Sequence, residues 1–189
     1  MKSHYYKTKE TVDEYIKLSK GIDSLKLIEK LKQFLPDKSK LLEIGSGPGS
    51  DWRILSQNFI TTGSDYSNEF IKRLNIKFPD GQFLMMDAVT LESEESFDGI
   101  YSNKVLHHLN NDELLKSIER QCDILDSKGI ICHSFWKGEG SEFFKGLYVK
   151  YHSKSSLTDY FGVNFDILLL EEYQEFEPND SLVLIARKK

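Results

Sequence analysis

Apolar positions along the chain switch between helical spacing and short continuous runs, and each switch marks an element. Val12, Tyr15 and Ile16, followed by Leu27, Ile28, Leu31, Phe34 and Leu35, predict one or two helices over residues 8–35. Asp23 or Ser24 would be an N-cap, and Pro36 stops the pattern. The run at 41–44 predicts a buried strand, residues 51–58 a short helix and 60–64 a second strand. Ser67 would cap a helix carrying Phe70, Ile71 and Leu74. Strands follow at 83–86 and 97–102, with a polar surface turn at 92–96 between them. Leu114, Leu115, Ile118, Cys122 and Leu125 share one side of a helix at 111–125, with Asn111 as its expected cap. Gly129 then precedes a strand at 130–135. Residues 141–151 read as helical, and Ser155 or Ser156 would cap a short helix ending at Phe161-Gly162. The last two strands, 165–176 and 181–186, are separated only by Glu177-Pro178-Asn179-Asp180. So short a link permits only a hairpin, hence one reversed strand in a sheet that strand–helix alternation otherwise makes parallel.

Composition adds boundaries. A length of 189 residues fits one domain, divided here into an N-terminal helical lid segment at 1–36 and an α/β core at 37–189. Hydrophobic content of 39% and charged content of 29% are those of a folded globular protein. No apolar run has signal-sequence or membrane-spanning character, so the expectation is a cytoplasmic protein with no membrane partner. With a net charge of −5 and no basic block beyond Arg187-Lys188-Lys189, a nucleic-acid partner is disfavoured. Cys122 falls in a predicted helix and Cys132 in a predicted buried strand, so free thiols are expected. C-x-x-C spacing is absent, and no metal is expected.

The candidate chemistry sits at the strand ends. Glu43-Ile44-Gly45-Ser46-Gly47-Pro48-Gly49 closes the first strand with alternate glycines, a loop whose main chain a ligand can approach closely. Later strands end in Asp65, Asp87, Ser102-Asn103 and His133-Ser134-Phe135-Trp136, and ligands of open α/β sheets bind outside such ends. Asp65 lies twenty residues beyond Gly45, the separation of a carboxylate that accepts ribose hydroxyls, a spacing shared with nicotinamide-binding folds. Ser50 replaces the last glycine of a dinucleotide fingerprint, and the loop has no lysine for a triphosphate. The ligand suggested is an adenosine without a long phosphate chain.

In these motifs the sequence resembles the class I S-adenosylmethionine-dependent methyltransferases. Glu43-x-Gly45-x-Gly47-x-Gly49, Gly63-Ser64-Asp65-Tyr66-Ser67, Met86-Asp87-Ala88 and residues 97–109 look like four of their motifs in order, and the terminal hairpin resembles their reversed seventh strand. The resemblance implies a Rossmann-like doubly wound α/β fold, a mostly parallel seven-stranded sheet with a C-terminal antiparallel hairpin strand. It also implies S-adenosyl-L-methionine as cofactor, S-adenosyl-L-homocysteine as product, and in-line methyl transfer to a small-molecule acceptor. Gly45, Gly47 and Gly49 would support the methionine part, with Glu43 holding the loop or reaching the amino group. Asp65, with Tyr66 in the same motif, would bind the ribose, Asp87 and the Ala88 backbone the adenine, and Asn103 the methionyl end.

His107 and His108 are the candidate bases for a protonated acceptor; the same pair could instead cap a helix or pack under the adenine. His133 is expected at a strand end facing the pocket wall. Tyr5, Tyr6, Tyr15, Phe135, Trp136, Phe143, Phe144, Tyr148 and Tyr151 would supply an aromatic lid and acceptor pocket. A monomer or homodimer is expected. The alternatives are a catalytically silent cofactor-binding module that acts through a protein partner, and a nicotinamide oxidoreductase.

Overall fold

The computed structural model describes Tyr6, residues 8–18 and residues 24–189. Tyr5 and Asp23 lie outside the described residues. Helices α1 (Lys9–Leu18) and α2 (Leu25–Leu31) precede β1 (Lys40–Ile44), α3 (Ser50–Leu55), β2 (Ile60–Asp65), α4 (Asn68–Lys77) and β3 (Gln82–Met85). Then come β4 (Phe97–Asn103), a 3-10 turn at Leu106–His108, α5 (Asn111–Ile124), β5 (Leu125–Trp136), β6 (Ser141–Phe144), β7 (Leu147–Lys150), α6 (Lys154–Phe161), β8 (Phe165–Tyr173) and β9 (Ser181–Lys188).

Seven strands form one sheet in the order β3-β2-β1-β4-β5-β9-β8. β9 pairs antiparallel with both β5 and β8, and the other pairings in this sheet are parallel. This is the Rossmann-like, mostly parallel sheet with a reversed hairpin strand that the resemblance implies. Alternate side chains of the strands feed two cores. Leu42, Ile100, Ile131, Leu182 and Leu184 meet Leu114 and Ile118 of α5 and Phe161 of α6 on one face. Leu41, Tyr101, Cys132, Val183 and Ile185 meet Leu27, Ile28 and Leu31 of α2 and Leu55 of α3 on the other. Full burial of each such aliphatic side chain contributes about 1.5–3 kcal/mol, so the double-sided sheet is the main stabilising unit. Both cysteines are free, as expected.

Four local expectations are corrected. Residues 141–151 form an antiparallel hairpin, not a helix: Phe143 pairs with Tyr148 and Phe144 with Leu147. Lys145 and Gly146 both have positive φ, 51° and 77°, which makes a tight hairpin turn, and Leu147 and Val149 are buried in alternation with Tyr148 and Lys150. Asn110, not Asn111, caps α5; its side chain accepts from the Glu113 N–H while the Glu113 carboxylate accepts from the Asn110 N–H. Ser153, with Ser156 as its reciprocal partner, caps α6. Ser24 precedes α2 without a capping bond, because its hydroxyl oxygen accepts from Asn103 Nδ2 at 2.6 Å. Ser67 does cap α4, accepting from the Phe70 N–H.

Replacing Asn110 by Ala removes a reciprocal cap and is expected to lower stability by about 1 kcal/mol. Urea unfolding measures that loss, and cofactor affinity should be unchanged.

Candidate active site

The loop after β1 is fixed by hydrogen bonds to β2. The Ser46 N–H donates to the Ser64 carbonyl at 2.8 Å, and Ser64 Oγ donates to the Glu43 carbonyl at 2.8 Å. Ser46 Oγ donates to Glu43 Oε2 at 2.6 Å. Asp65 accepts from the Gly47 N–H at 2.9 Å and, through its other oxygen, from the Ser67 N–H at 2.8 Å. Gly45 turns with φ 73°, and a Cβ there would stand 2.5 Å from Val105. Gly49, with φ 77°, faces away from the cleft; a Cβ would meet Leu74 at 2.6 Å and Phe78 at 2.8 Å.

Two cavities of about 230 and 320 Å³ open beside this loop and share Tyr6, Tyr15, Gly45, Gly47, Asn103, Lys104, His108 and Leu147 as lining. The first lobe reaches Asp65, Tyr66, Asp87 and Ala88. The second reaches Ser24, Glu43, Asp51, His107, Trp136, Phe144, Glu175 and Phe176. Every residue named from the sequence for cofactor binding except Gly49 therefore lines a lobe, as do both histidines. Asp87 also holds its own turn, accepting from the Val89 N–H at 2.8 Å.

Of the aromatic residues expected around the cleft, Tyr6, Tyr15, Trp136, Phe144 and Tyr148 line a lobe. Phe135 is buried in the core, while Phe143 is exposed on the hairpin, where Tyr151 donates to Glu142 at 2.6 Å. His133 corrects its expectation: it is fully buried, donating from Nε2 to Gln121 Oε1 and accepting from Ser102 Oγ at Nδ1, both at 2.8 Å. Burial keeps it neutral, with its pKa pushed down to about 3.

Sequence reasoning missed Asp51, Lys104 and Ser24. Asp51 Oδ2 accepts from Tyr101 Oη at 2.8 Å and from Asn103 Nδ2 at 3.2 Å. An acid in the first turn after a glycine loop was the available signal. Lys104, at φ 54°, donates from Nζ to the Phe135 carbonyl at 2.9 Å and to Ser181 Oγ at 2.6 Å, and lies 3.6 Å from the Trp136 ring centroid. Burial lowers its pKa to about 7, opposed by Glu175 and Asp180. Only the fold reveals its ties to β5 and β9.

The acids carry the electrostatics. Burial raises Glu43 to about 8, and the neighbouring charges of Asp51 and Asp65 push the same way against the Ser46 bond. Burial raises Asp65 to about 6 despite the opposing backbone N–H groups of Ser67, Gly47 and Tyr66. A buried carboxylate whose charged neighbours are carboxylates suits a cationic ligand group, and S-adenosylmethionine carries an ammonium and a sulfonium. Burial holds both His107 and His108 below the ordinary histidine range; His108 adds to the effect on His107, and the bond to Tyr148 opposes it at His108. Among the described residues no group of three or more His, Cys, Asp or Glu is placed to hold a metal ion. No described helix is long and apolar enough to cross a membrane.

Residues 42–132 match the family model of the methyltransferase domain. The fold is similar to that of Burkholderia thailandensis 1,6-didemethyltoxoflavin-N1-methyltransferase, solved with 1,6-didemethyltoxoflavin and S-adenosylhomocysteine. Identity is 18% over 95% of this chain and 84% of that one, with a TM-score of 0.80. It is similar also to the N-methyltransferase NodS of Bradyrhizobium japonicum bound to S-adenosylhomocysteine, at 16% identity over 95% and 97% of the two chains and a TM-score of 0.73. A chain from the complex of the Haloferax volcanii Trm112 methyltransferase activator with a methyltransferase matches 100% of this chain and 99% of its own at 14% identity, with a TM-score of 0.79. No curated protein matches the sequence. The match over residues 42–132 and the shared fold support a place among the class I S-adenosylmethionine-dependent methyltransferases. The domain match supports a methyltransferase enzyme.

Glu43 generates a pH prediction for the ligand-free protein. Its folded pKa, about 8, lies above the ordinary carboxyl value of 4.5, so the folded state holds the extra proton between those values. Its contribution is complete at low pH and is lost as pH rises through 8. Glu43→Gln should flatten the fall in melting temperature between pH 5 and pH 8; an unaltered pH profile would refute the assignment.

Proposed function

We propose that this enzyme transfers the methyl group of S-adenosylmethionine to a small-molecule acceptor by in-line displacement. The observation that carries this reading is the pair of lobes meeting at Gly45, Gly47, Asn103 and His108, one reaching Asp65 and Asp87 and the other reaching Glu43, Asp51, His107 and Trp136. In the first lobe Asp65 accepts the ribose hydroxyls beside Tyr66, and Asp87 with the Ala88 backbone receives the adenine. Glu43, Asp51, Asn103, Gly45 and Gly47 hold the methionyl end, while Gly49 supports the loop from behind.

Bound S-adenosylmethionine supplies an activated methyl group at its sulfonium. The chain's own contribution is positioning, which can supply most of the acceleration of a bimolecular displacement. Tyr6 and Tyr15 of the N-terminal segment and Leu147 and Tyr148 of the β6–β7 hairpin cover the cleft and limit water. His108 donates from Nδ1 to the Tyr148 carbonyl at 2.8 Å, so its neutral form keeps Nε2 as a hydrogen-bond acceptor. Two structural relatives are N-methyltransferases by name, which supports a small acceptor.

Production of S-adenosylhomocysteine from S-adenosylmethionine and a metabolite extract tests the reading. Tight cofactor binding without turnover across diverse acceptors would favour a cofactor-holding module, the arrangement that the similarity to a chain of an activator complex brings into view. Asp65→Ala should weaken cofactor binding by about 1.5–3 kcal/mol, the cost of hydrogen bonds to a charged group. In the wild type, affinity should fall as pH drops through about 6 and protonates Asp65, and Asp65→Asn should lack that fall. Calorimetric titration across pH reads both.

A further inference from the structure

The second lobe presents hydrogen-bond acceptors to its occupant. His107 is only 3% exposed and lines this lobe; its Nδ1 has no hydrogen-bond partner and is closed off from solvent, so the occupant meets the ring at Nε2. The His107 ring centroid lies 4.0 Å from that of His108, whose Nδ1–H is committed to the Tyr148 carbonyl. His108 therefore has Nε2 left to receive a proton donor, and it stands where the two lobes meet.

The charges favour a group that becomes positive. Glu175 lines the same lobe, beyond the residues that hold the methionyl end. Among the described residues the lysine there, Lys104, is turned into the wall by its bonds to Phe135 and Ser181 and by the Trp136 ring, so it is poorly placed to receive an anionic acceptor. Trp136 in turn stacks on Phe176, with ring centroids 5.9 Å apart, which closes the apolar side of the lobe.

We propose that the acceptor is an amine, whose two N–H groups are received by His107 and His108 while its nitrogen lone pair faces the transferable methyl group. This rests on the methyl-transfer reading above. A neutral primary amine has two N–H donors and one lone pair; a hydroxyl has a single donor, and a carboxylate has none. The lone pair forms the new N–C bond, the S–C bond breaks with its electron pair retained by sulfur, and nitrogen becomes positively charged. Glu175 on the lobe wall stabilises that charge, and one N–H proton passes to His108 and on to solvent. Both histidines are then catalytic residues in contact with substrate.

The test uses the full chain saturated with S-adenosylhomocysteine and three probes that differ only in head group: aniline, phenol and benzoate. Calorimetry should rank them aniline, phenol, benzoate, with each unmatched imidazole costing about tenfold in affinity. His107→Ala and His108→Ala should each weaken aniline binding about tenfold, with S-adenosylhomocysteine affinity unchanged in His107→Ala, since His107 lies outside the first lobe. His107→Asn and His108→Gln keep a side-chain acceptor, should restore most of the binding, and serve if an alanine variant does not fold. Aniline that binds no better than phenol, or equally well to both alanine variants, overturns the proposal. Failure of S-adenosylhomocysteine itself to bind would overturn the methyl-transfer reading instead.

Discussion

The bonds between the ends of β1 and β2 hold the functional end of the sheet together. A strand that ends in a glycine loop leaves main-chain groups with no helix or ladder to receive them. Ser46, Ser64, Glu43 and Asp65 take up that demand by pairing across the two strand ends. The loop is thereby rigid before any ligand arrives, and the cofactor meets a surface whose ordering cost has already been met. The same bonds explain why two carboxylates tolerate burial: each accepts hydrogen bonds from the loop it secures.

Burial of these acids sets a tension between folding and binding. In the ligand-free chain Glu43 is easier to keep protonated than charged, since burial strips the carboxylate of water and the charged groups acting on it, Asp51 and Asp65, are both acids. A cationic ligand reverses the preference. Stability is thus held back at the place where affinity is gained, as expected of sites organised for a charged partner.

Sequence legibility followed the range of the interactions. Ser67 as a cap, the glycine loop and the order of strand-end acids depend on neighbours a few residues away or on strand periodicity, and all could be read. Residues 141–150 could not be placed correctly, because Phe143 and Phe144 suit either period and the Lys145-Gly146 turn carries the deciding information. Ser24 has the chemistry of a cap, yet its hydroxyl is claimed by Asn103, 79 positions away. Lys104 and Asp51 are ordinary surface residues by type; their contacts with Phe135, Ser181, Tyr101 and Asn103 exist only once β4, β5 and α3 have met.

The place of β9 bears on how the protein is made. Residues 181–188 run between β5 and β8, with Val183, Leu184 and Ile185 fully buried, although the ribosome delivers them after every other strand of the sheet. Until they emerge, β5 has an open edge on which Ile131 lacks its Ala186 neighbour, and β8 has no partner in the sheet. The nascent protein must therefore carry an exposed apolar seam from the time β5 is made until residues 181–188 emerge, a period in which a chaperone or a premature edge pairing would compete for it.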